Sequence, residues 1–179
     1  YGNADRLSPD APVPVLASEQ HEAIAGGAAN VGQGLRALQC EVALVGITGQ
    51  DAAGRQLREV LESLGCETTG LIEVADRPTT VKHNFVGLAQ HRHPQKMFRA
   101  DMEDSSPIND TIAEAICDRA AALLPNADVL CLEDYNKGVL TEATAQRLIA
   151  LAREHNVPVL VDPAAIDDFS KYRGATCLT

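Results

Sequence analysis

The sequence lacks the features that mark several large classes of protein. No run of apolar residues reaches the roughly 18 needed to span a membrane, so no membrane span is predicted. The first residues, Tyr1 to Arg6, lack the basic and then apolar order of a secretory signal, and no initiator methionine precedes them. Residues 174–179 read as a strand that has just begun. These features predict a chain that is cut at both ends.

Basic charge is also scarce. The chain has 15 lysine and arginine residues against 25 aspartate and glutamate residues, which gives a formal net charge of −10. Nonspecific binding to nucleic acid needs a basic surface that displaces counterions from the phosphates, so nucleic acid is not an expected partner. Anionic small molecules remain possible ligands, because a local basic pocket can exist in an acidic protein.

Cysteine pairs and metal-ligand patterns are missing as well. The five cysteines are odd in number and form no CxxC motif, so neither a disulfide framework nor a zinc site is predicted. Small buried cysteines suit a reducing compartment, and we expect a cytoplasmic location. His91 and His93 flank Arg92 in a polar stretch, but nothing identifies further ligands, so no metal site is predicted there.

What the sequence does contain is an alternation of helical and apolar segments. Such alternation predicts an α/β protein with an open, mainly parallel sheet flanked by helices. Continuous apolar runs suit parallel strands that are buried on both faces. The predicted helices cover residues 28–38, 52–64, 108–124 and 141–155, and the predicted strands cover residues 42–47, 70–72, 129–132 and 157–161.

Two early segments are only half apolar and do not fit this alternation. Residues 13–17 contain proline and suit an edge strand, where a missing N–H is tolerated. Residues 79–101 show two stretches of period-two alternation around the polar loop 90–95, which predicts a hairpin. We therefore expect a small second sheet outside the main one.

Three polar clusters follow predicted strands or precede helices, where open α/β sheets bind ligands. They are residues 26–30, 133–138 and 162–165. Each also has a plain structural interpretation: a tight turn into a helix, a solvated turn and a helix cap. The loose GxGxxA pattern at residues 32–37 would suggest a dinucleotide-binding oxidoreductase, but it lies inside a predicted helix and does not follow a strand.

Several motifs in the same order resemble those of a known family. Residues 26–31 and 44–54 resemble the first signature of the ribokinase-like, or PfkB-type, sugar kinases. More narrowly, the chain is similar to the kinase domain of the heptose 7-phosphate kinases. The segments that carry this second likeness are residues 6–15, 77–82, 134–141, 159–163 and 172–176.

The resemblance implies a sugar kinase that uses ATP and Mg²⁺, with a small β-sheet lid through which two subunits form a homodimer. A sugar or sugar phosphate would be the substrate, and a nucleotidyltransferase domain would be fused to the full protein. By this resemblance Asp162 lies near the phosphates and Mg²⁺, and a set of seven residues binds the substrate. The substrate-binding residues would be Gly26, Gly27, Asn30, Lys82, Arg99, Asp134 and Lys137.

The sequence also departs from the family pattern. The Gly-Ala-Gly-Asp motif that carries the catalytic aspartate is absent, so that residue is expected beyond residue 179 and this chain alone is expected to be inactive. Ala164 and the pair His83-Asn84 stand where the heptose kinases usually have cations. A sugar-binding or dimerisation module without catalysis, of the same fold, therefore remains an alternative.

Overall fold

The computed structural model describes residues 1–88 and 93–179, and His91 and part of the predicted loop 90–95 lie outside the described residues. The chain divides into two compact units. The first consists of Tyr1–Ile24 and Thr80–Met102, and the second of Ala25–Thr79 and Glu103–Thr179. The elements in chain order are β1 (Gly2–Leu7), β2 (Pro14–Ser18), α1 (Ala28–Ala37), β3 (Ala43–Gly49), α2 (Ala52–Ser63), β4 (Glu67–Val74), β5 (Val81–Gly87), β6 (Gln95–Met102), α3 (Asp110–Leu123), β7 (Leu130–Glu133), α4 (Glu142–Glu154), β8 (Val159–Asp162) and β9 (Cys177–Leu178).

The first unit, called here the sheet unit, is a four-stranded sheet in the order β2-β1-β5-β6. The predicted hairpin is present, since β5 and β6 pair antiparallel. The predicted proline-containing strand is also present, as β2 at the edge of the sheet. Strand β1 was not predicted, because its polar residues show no period-two pattern. It forms through pairing with β2 and β5.

The two faces of this hairpin differ in chemistry. Phe85 lies opposite Phe98, and their rings stack with centroids 5.6 Å apart. Because side chains alternate along a strand, Lys82 and Arg99 share the opposite face. The sheet unit therefore has an aromatic face and a face that carries cations.

The second unit, called here the α/β unit, begins with the parallel pair β3 and β4. Leu44 on β3 and Leu71 on β4 pack with residues of α1 and α2 in one apolar cluster. Val45 and Ile47 belong to a different cluster, formed largely by α3, α4, β7 and β8. Strand β3 is thus covered by apolar groups on both faces, which explains its continuous apolar sequence.

The rest of the α/β unit is built on the parallel strands β7, β8 and β9. Val159 and Val161 on β8 are almost completely buried beneath the apolar sides of α3 and α4. The predicted α/β class is confirmed, with one difference. The parallel strands form two groups, β3-β4 and β7-β8-β9, and not one sheet. Among the described residues, β3 and β7 contribute to the same apolar core but form no backbone hydrogen-bond ladder with each other.

Local signals in the sequence account for the helix starts. The side chains of Asp51, Asn109 and Thr141 accept hydrogen bonds from the first turns of α2, α3 and α4. The glycine pattern at residues 32–37 lies within α1, as predicted, and Gly32 packs against Leu44. No helix in the described part of the chain combines the length and apolar composition that crossing a membrane requires.

Candidate functional site

The double-glycine turn contacts the loop that follows β7. Gly27 has a φ of 54°, in the left-handed region that favours glycine, and it is the N-terminal cap of α1. A Cβ atom added there would lie 3.4 Å from the ring of Tyr135. Asn30, in the first turn of α1, is exposed, as is Gly26. The polar clusters 26–30 and 133–138 of the sequence therefore meet at Gly27 and Tyr135.

Two carboxylates meet at the carboxyl ends of the neighbouring strands β7 and β8. Glu133 and Asp162 are paired in the parallel register, and the N–H of Asp134 donates to the carbonyl of Asp162 at 3.0 Å. The Oε2 atom of Glu133 is buried and accepts no hydrogen bond from the described residues. One oxygen at this strand end therefore keeps its capacity to bind a proton, a cation or a hydroxyl.

The electrostatics of this pair follow from its position. Burial raises the pKa of Glu133, and the negative charge of Asp162 raises it further. Burial also raises the pKa of the Tyr135 hydroxyl, with smaller contributions from the charges of Glu133 and Asp162. The Gly27 turn, Tyr135 and the two carboxylates thus form one acidic cluster, called here the strand-end site. Glu133 and Tyr135 belong to the polar cluster 133–138 of the sequence, but only the register of β7 and β8 shows that they accompany Asp162.

Asp134 does not have the pocket-facing position expected from the sequence. It is only 7% exposed. Its Oδ2 atom accepts a hydrogen bond from the Tyr172 hydroxyl at 2.7 Å and forms an ion pair with Lys171. Its Oδ1 atom accepts from the N–H of Asn136 at 2.8 Å. Both oxygens are therefore occupied by protein groups, and Asp134 stabilises the loop from the inside.

Lys137 also has a protein partner. Its Nζ atom lies 2.6 Å from Oε1 of Glu103, and about a quarter of each side chain is exposed. The ammonium group could meet a substrate only by sharing or exchanging this carboxylate. Glu103 thus offsets the charge of one of the three cations expected to bind the substrate, which are Lys82, Arg99 and Lys137.

The two cations of the hairpin lie in the sheet unit. Lys82 is exposed and is paired in register with Asp101. Arg99 is 54% exposed and donates to both carboxylate oxygens of Asp101 at 2.9 Å. An exposed ion pair of this kind contributes little to stability, so its partners can rearrange around an anion at small cost.

Comparison with known proteins identifies the family. The sequence profile of the group described as "pfkB family carbohydrate kinase" matches residues 1–177. This chain belongs to the pfkB family of carbohydrate kinases. The fold agrees, because solved structures of ribokinase-like fold superpose on most of this chain.

Several curated relatives share one name. The "Bifunctional protein HldE" of Wolinella succinogenes is 40% identical over 179 residues, which are 100% of this chain and 36% of the relative. The protein of the same name from Paramagnetospirillum magneticum has the same identity and coverage. The pfkB-family chain therefore spans about a third of the length of the curated relatives it matches.

Solved structures show the fold at lower identity. Ribokinase of Arabidopsis thaliana, complexed with ribose and ATP, has a TM-score of 0.59 at 18% identity, covering 93% of this chain and 50% of that one. A possible 1-phosphofructokinase of Thermotoga maritima has a TM-score of 0.60 at 18% identity, covering 83% of this chain and 47% of that one. These likenesses establish the fold of the chain.

Proposed function

We propose that the protein to which this chain belongs is an ATP-dependent kinase of a heptose 7-phosphate or a related phosphorylated sugar. Membership of the pfkB family supports a carbohydrate kinase. The motif resemblance to heptose 7-phosphate kinases supports the narrower substrate. The observation that carries the proposal is the strand-end site, where the Gly27 turn contacts Tyr135 beside the paired carboxylates Glu133 and Asp162.

Each part of the strand-end site has a chemical role in this proposal. Gly26 and Gly27 leave room for a sugar to approach the backbone, and Asn30 offers a donor and an acceptor to hydroxyl groups. Asp162 lies towards the phosphates that are transferred. Lys137 remains a candidate contact to the substrate. Asp134 is not proposed as one, because its oxygens are already bonded.

The residues present fit a magnesium ion only in part. Mg²⁺ in phosphoryl-transfer enzymes usually binds one or two carboxylates, several waters and substrate phosphates. Glu133, with its unpartnered Oε2, and Asp162 can supply carboxylates of this kind. The described residues contain no group of three or more potential metal ligands, so the substrate phosphates and water would complete the ion's coordination. A bound Mg²⁺ would neutralise charge on the phosphates.

The sugar's own phosphate needs cations elsewhere. We propose that Lys82 and Arg99 bind it, since both lie on the same face of the hairpin and Arg99 offers a fork of donors that matches a phosphate. In this proposal the sheet unit acts as a lid over the sugar. Replacing Lys82 or Arg99 by methionine should then raise KM for the phosphorylated sugar about tenfold, and change KM for the unphosphorylated sugar less than about twofold.

The aromatic face of the hairpin supports a homodimer. Phe85 and Phe98 are 40% and 62% exposed although they stack on each other. Aromatic residues exposed together are common at protein interfaces. We propose that two lids pair through this face. The name of the bifunctional relatives further supports a second domain in the intact protein, for which a nucleotidyltransferase is our proposal, and a cytoplasmic location stays a prediction.

A phosphoryl-transfer screen tests the proposal. The intact protein is incubated with ATP, Mg²⁺ and a panel of sugars and sugar phosphates that includes heptose 7-phosphate, and ADP formation is measured. We expect the highest kcat/KM with a phosphorylated heptose, and a loss of at least about 100-fold in Asp162→Asn. Residues 1–179 alone should be inactive, because the general base is proposed to lie elsewhere in the protein.

The same screen decides the alternative. A sugar-binding or dimerisation module would bind a sugar in calorimetry without forming ADP. Neither the wild-type protein nor Asp162→Asn would then turn over ATP. The observation that favours a non-catalytic module is the absence of the Gly-Ala-Gly-Asp motif from residues 1–179. Activity with unphosphorylated sugars only would contradict the proposed substrate class.

A further inference from the structure

Arg77 collects backbone carbonyl groups from two separate segments of the α/β unit. Its Nη2 atom donates to the carbonyl oxygens of Asp104 at 2.7 Å, Ser106 at 2.8 Å and Lys137 at 2.7 Å. The side chain is only 10% exposed, and Nη1 lies 3.9 Å from the Asp104 carboxylate. Three carbonyls thus share the protons of one nitrogen in a mostly buried environment.

Further contacts join the same two segments. Lys137 pairs with Glu103 at 2.6 Å, and the N–H of Ile108 donates to the carbonyl of Gly138 at 3.0 Å. Gly138 has a φ of 71°, and a Cβ atom there would lie 1.9 Å from the carbonyl oxygen of Ser106. Residues 103–108 and the loop 134–138 therefore pack as one block, with the Arg77 guanidinium between them.

This block is directly connected to the strand-end site. The loop 134–138 begins where β7 ends, and it carries Tyr135, the residue against which Gly27 packs. Gly138 adopts its positive φ without a Cβ clash of its own, but the positive φ of Asn136 costs a non-glycine residue free energy, which tertiary contacts of the loop offset. The Lys137 carbonyl that Arg77 binds lies between these two residues.

We propose that Arg77 is a positioning residue for the sugar site. Its guanidinium fixes the loop 134–138 onto residues 103–106 and so sets the place of Tyr135 beside the Gly27 turn. The relation to sugar binding rests on the proposed function, but the fixing of the loop does not. No role in binding the sugar directly is needed, since Arg77 acts through the backbone of the loop.

Arginine suits this task better than lysine does. The guanidinium is planar and presents several N–H donors in a rigid fork, so it can satisfy carbonyls that approach from different segments. A lysine at position 77 keeps the charge but presents a compact ammonium on a flexible stem. A methionine removes every donor and leaves three carbonyls without this partner. Arg77→Met should therefore loosen the loop 134–138 more than Arg77→Lys does.

The test measures amide hydrogen exchange and steady-state kinetics on the intact protein. In Arg77→Lys, peptides that cover residues 103–108 and 134–140 should exchange at least about tenfold faster, while peptides from α4 change little. KM for the phosphorylated sugar should rise about tenfold, and KM for ATP should stay within about twofold. Arg77→Met should show both effects more strongly.

A matched control comes from Arg36, which also binds backbone carbonyls in the α/β unit. Its guanidinium donates to Leu64 at 3.0 Å and to Cys40 at 2.7 Å, away from the loop 134–138. Arg36→Lys should speed exchange near residues 36–40 and 64 only, and leave KM for the sugar unchanged. This variant separates loss of a carbonyl-binding arginine in general from loss of the one beside the site.

The outcomes discriminate between the two proposals. Unchanged exchange at residues 134–140 in Arg77→Met would overturn the positioning role. Uniformly faster exchange over the whole α/β unit would also overturn it, since it would mean general destabilisation. If the intact wild-type protein transfers phosphate to no sugar, the proposed function fails, and the exchange data still decide whether Arg77 fixes the loop.

Discussion

Asp134 and Arg77 in the α/β unit and Arg99 in the sheet unit have opposite surroundings. In the α/β unit, Asp134 is 7% exposed and bonded to Tyr172 and Lys171, and the Arg77 side chain is 10% exposed and bonded to backbone carbonyls. In the sheet unit, Arg99 is 54% exposed and, among the described residues, its ion-pair partner is Asp101, two positions along the same strand. Charges in the first environment hold loops in place, whereas charges in the second are available to a ligand.

This contrast indicates which cations are available to bind an anionic ligand. A buried charge that already has partners cannot leave them without a large desolvation cost. An exposed ion pair exchanges its partner at little cost. Arg77 and Lys171 therefore serve the structure of the α/β unit, and Lys82 and Arg99 of the hairpin are the cations that we propose for phosphate binding.

The largest expected effect comes from the packed loop of the α/β unit. Gly138→Ala should lower the free energy of unfolding by at least about 3 kcal/mol, because the new Cβ meets the Ser106 carbonyl and the residue has a positive φ. Urea denaturation followed by circular dichroism measures this change. Gly34→Ala is the control, since nothing lies within 4 Å of its added Cβ in α1. It should stabilise the protein by about 0.5–1 kcal/mol.

Equal stability of the two glycine variants would remove the basis for a rigid loop in the α/β unit. The statement that charges of the α/β unit hold a rigid loop in place would then have no support. A loss confined to Gly138→Ala would sharpen it, because both positions are glycines in the same unit.

The buried Asp134 network gives the next largest effect. Tyr172→Phe removes the hydroxyl that donates to Asp134 and accepts from the N–H of Ala164, so it should cost about 1–3 kcal/mol at pH 7. Phe169→Tyr, at an exposed aromatic residue of the same unit, should change stability by less than about 0.5 kcal/mol. Urea midpoints of the two variants provide the comparison.

The same network predicts a dependence on alkaline pH. Burial raises the pKa of Tyr172 above 10.0. Burial alone would lower the pKa of Lys171, but the hydrogen bond and charge of Asp134 raise it above 10.5. In both cases the folded state holds its proton more tightly than the unfolded state, so this stability is present below about pH 10 and is lost as pH rises through the folded-state values.

Unfolding free energies at pH 7, 9 and 11 test this expectation. The wild-type protein should lose stability between pH 9 and 11, and Tyr172→Phe should lose less over the same interval because one of the two groups is gone. An identical pH dependence in both proteins would show that the network does not hold its protons in this way.

The smallest effect on stability should come from the sheet unit. Phe98→Ser should change the free energy of unfolding by less than about 0.5 kcal/mol, because the side chain is 62% exposed. It should nevertheless shift the proposed dimer towards monomer, as measured by light scattering after size-exclusion chromatography. Phe169→Ser, which alters an exposed aromatic residue of the α/β unit, should leave the assembly unchanged. A wild-type protein that is monomeric throughout would contradict the lid-to-lid dimer.

Much of the fold could be predicted from the sequence because its signals are local. Thr141 caps α4 through its own side chain, and the apolar run of β3 reflects burial on both faces. Strand β1 could not be predicted, since its residues are polar and its conformation comes from pairing with β2 and β5. Local composition carries no signal for a strand of that kind.

The candidate site was only partly predictable. The cluster 133–138 could be recognised as polar and as following a strand, but neighbouring carboxylates in such a cluster look alike in sequence. The structure sends Asp134 inward to Tyr172 and places Glu133 beside Asp162. That distinction depends on strand alternation and on the register between β7 and β8, which involves residues nearly thirty positions apart.

The sequence by itself determined the α/β class, the family motifs and the places where helices begin, because these depend on neighbours along the chain. Tertiary structure alone decided which charged side chains are buried and hydrogen-bonded to protein groups and which are exposed. Asp134 and Arg77 are structural because residues distant in sequence, Tyr172 and Lys137, lie within hydrogen-bonding distance of them. Desolvation and hydrogen bonding act through space, so the role of a charged residue follows from its surroundings in the fold.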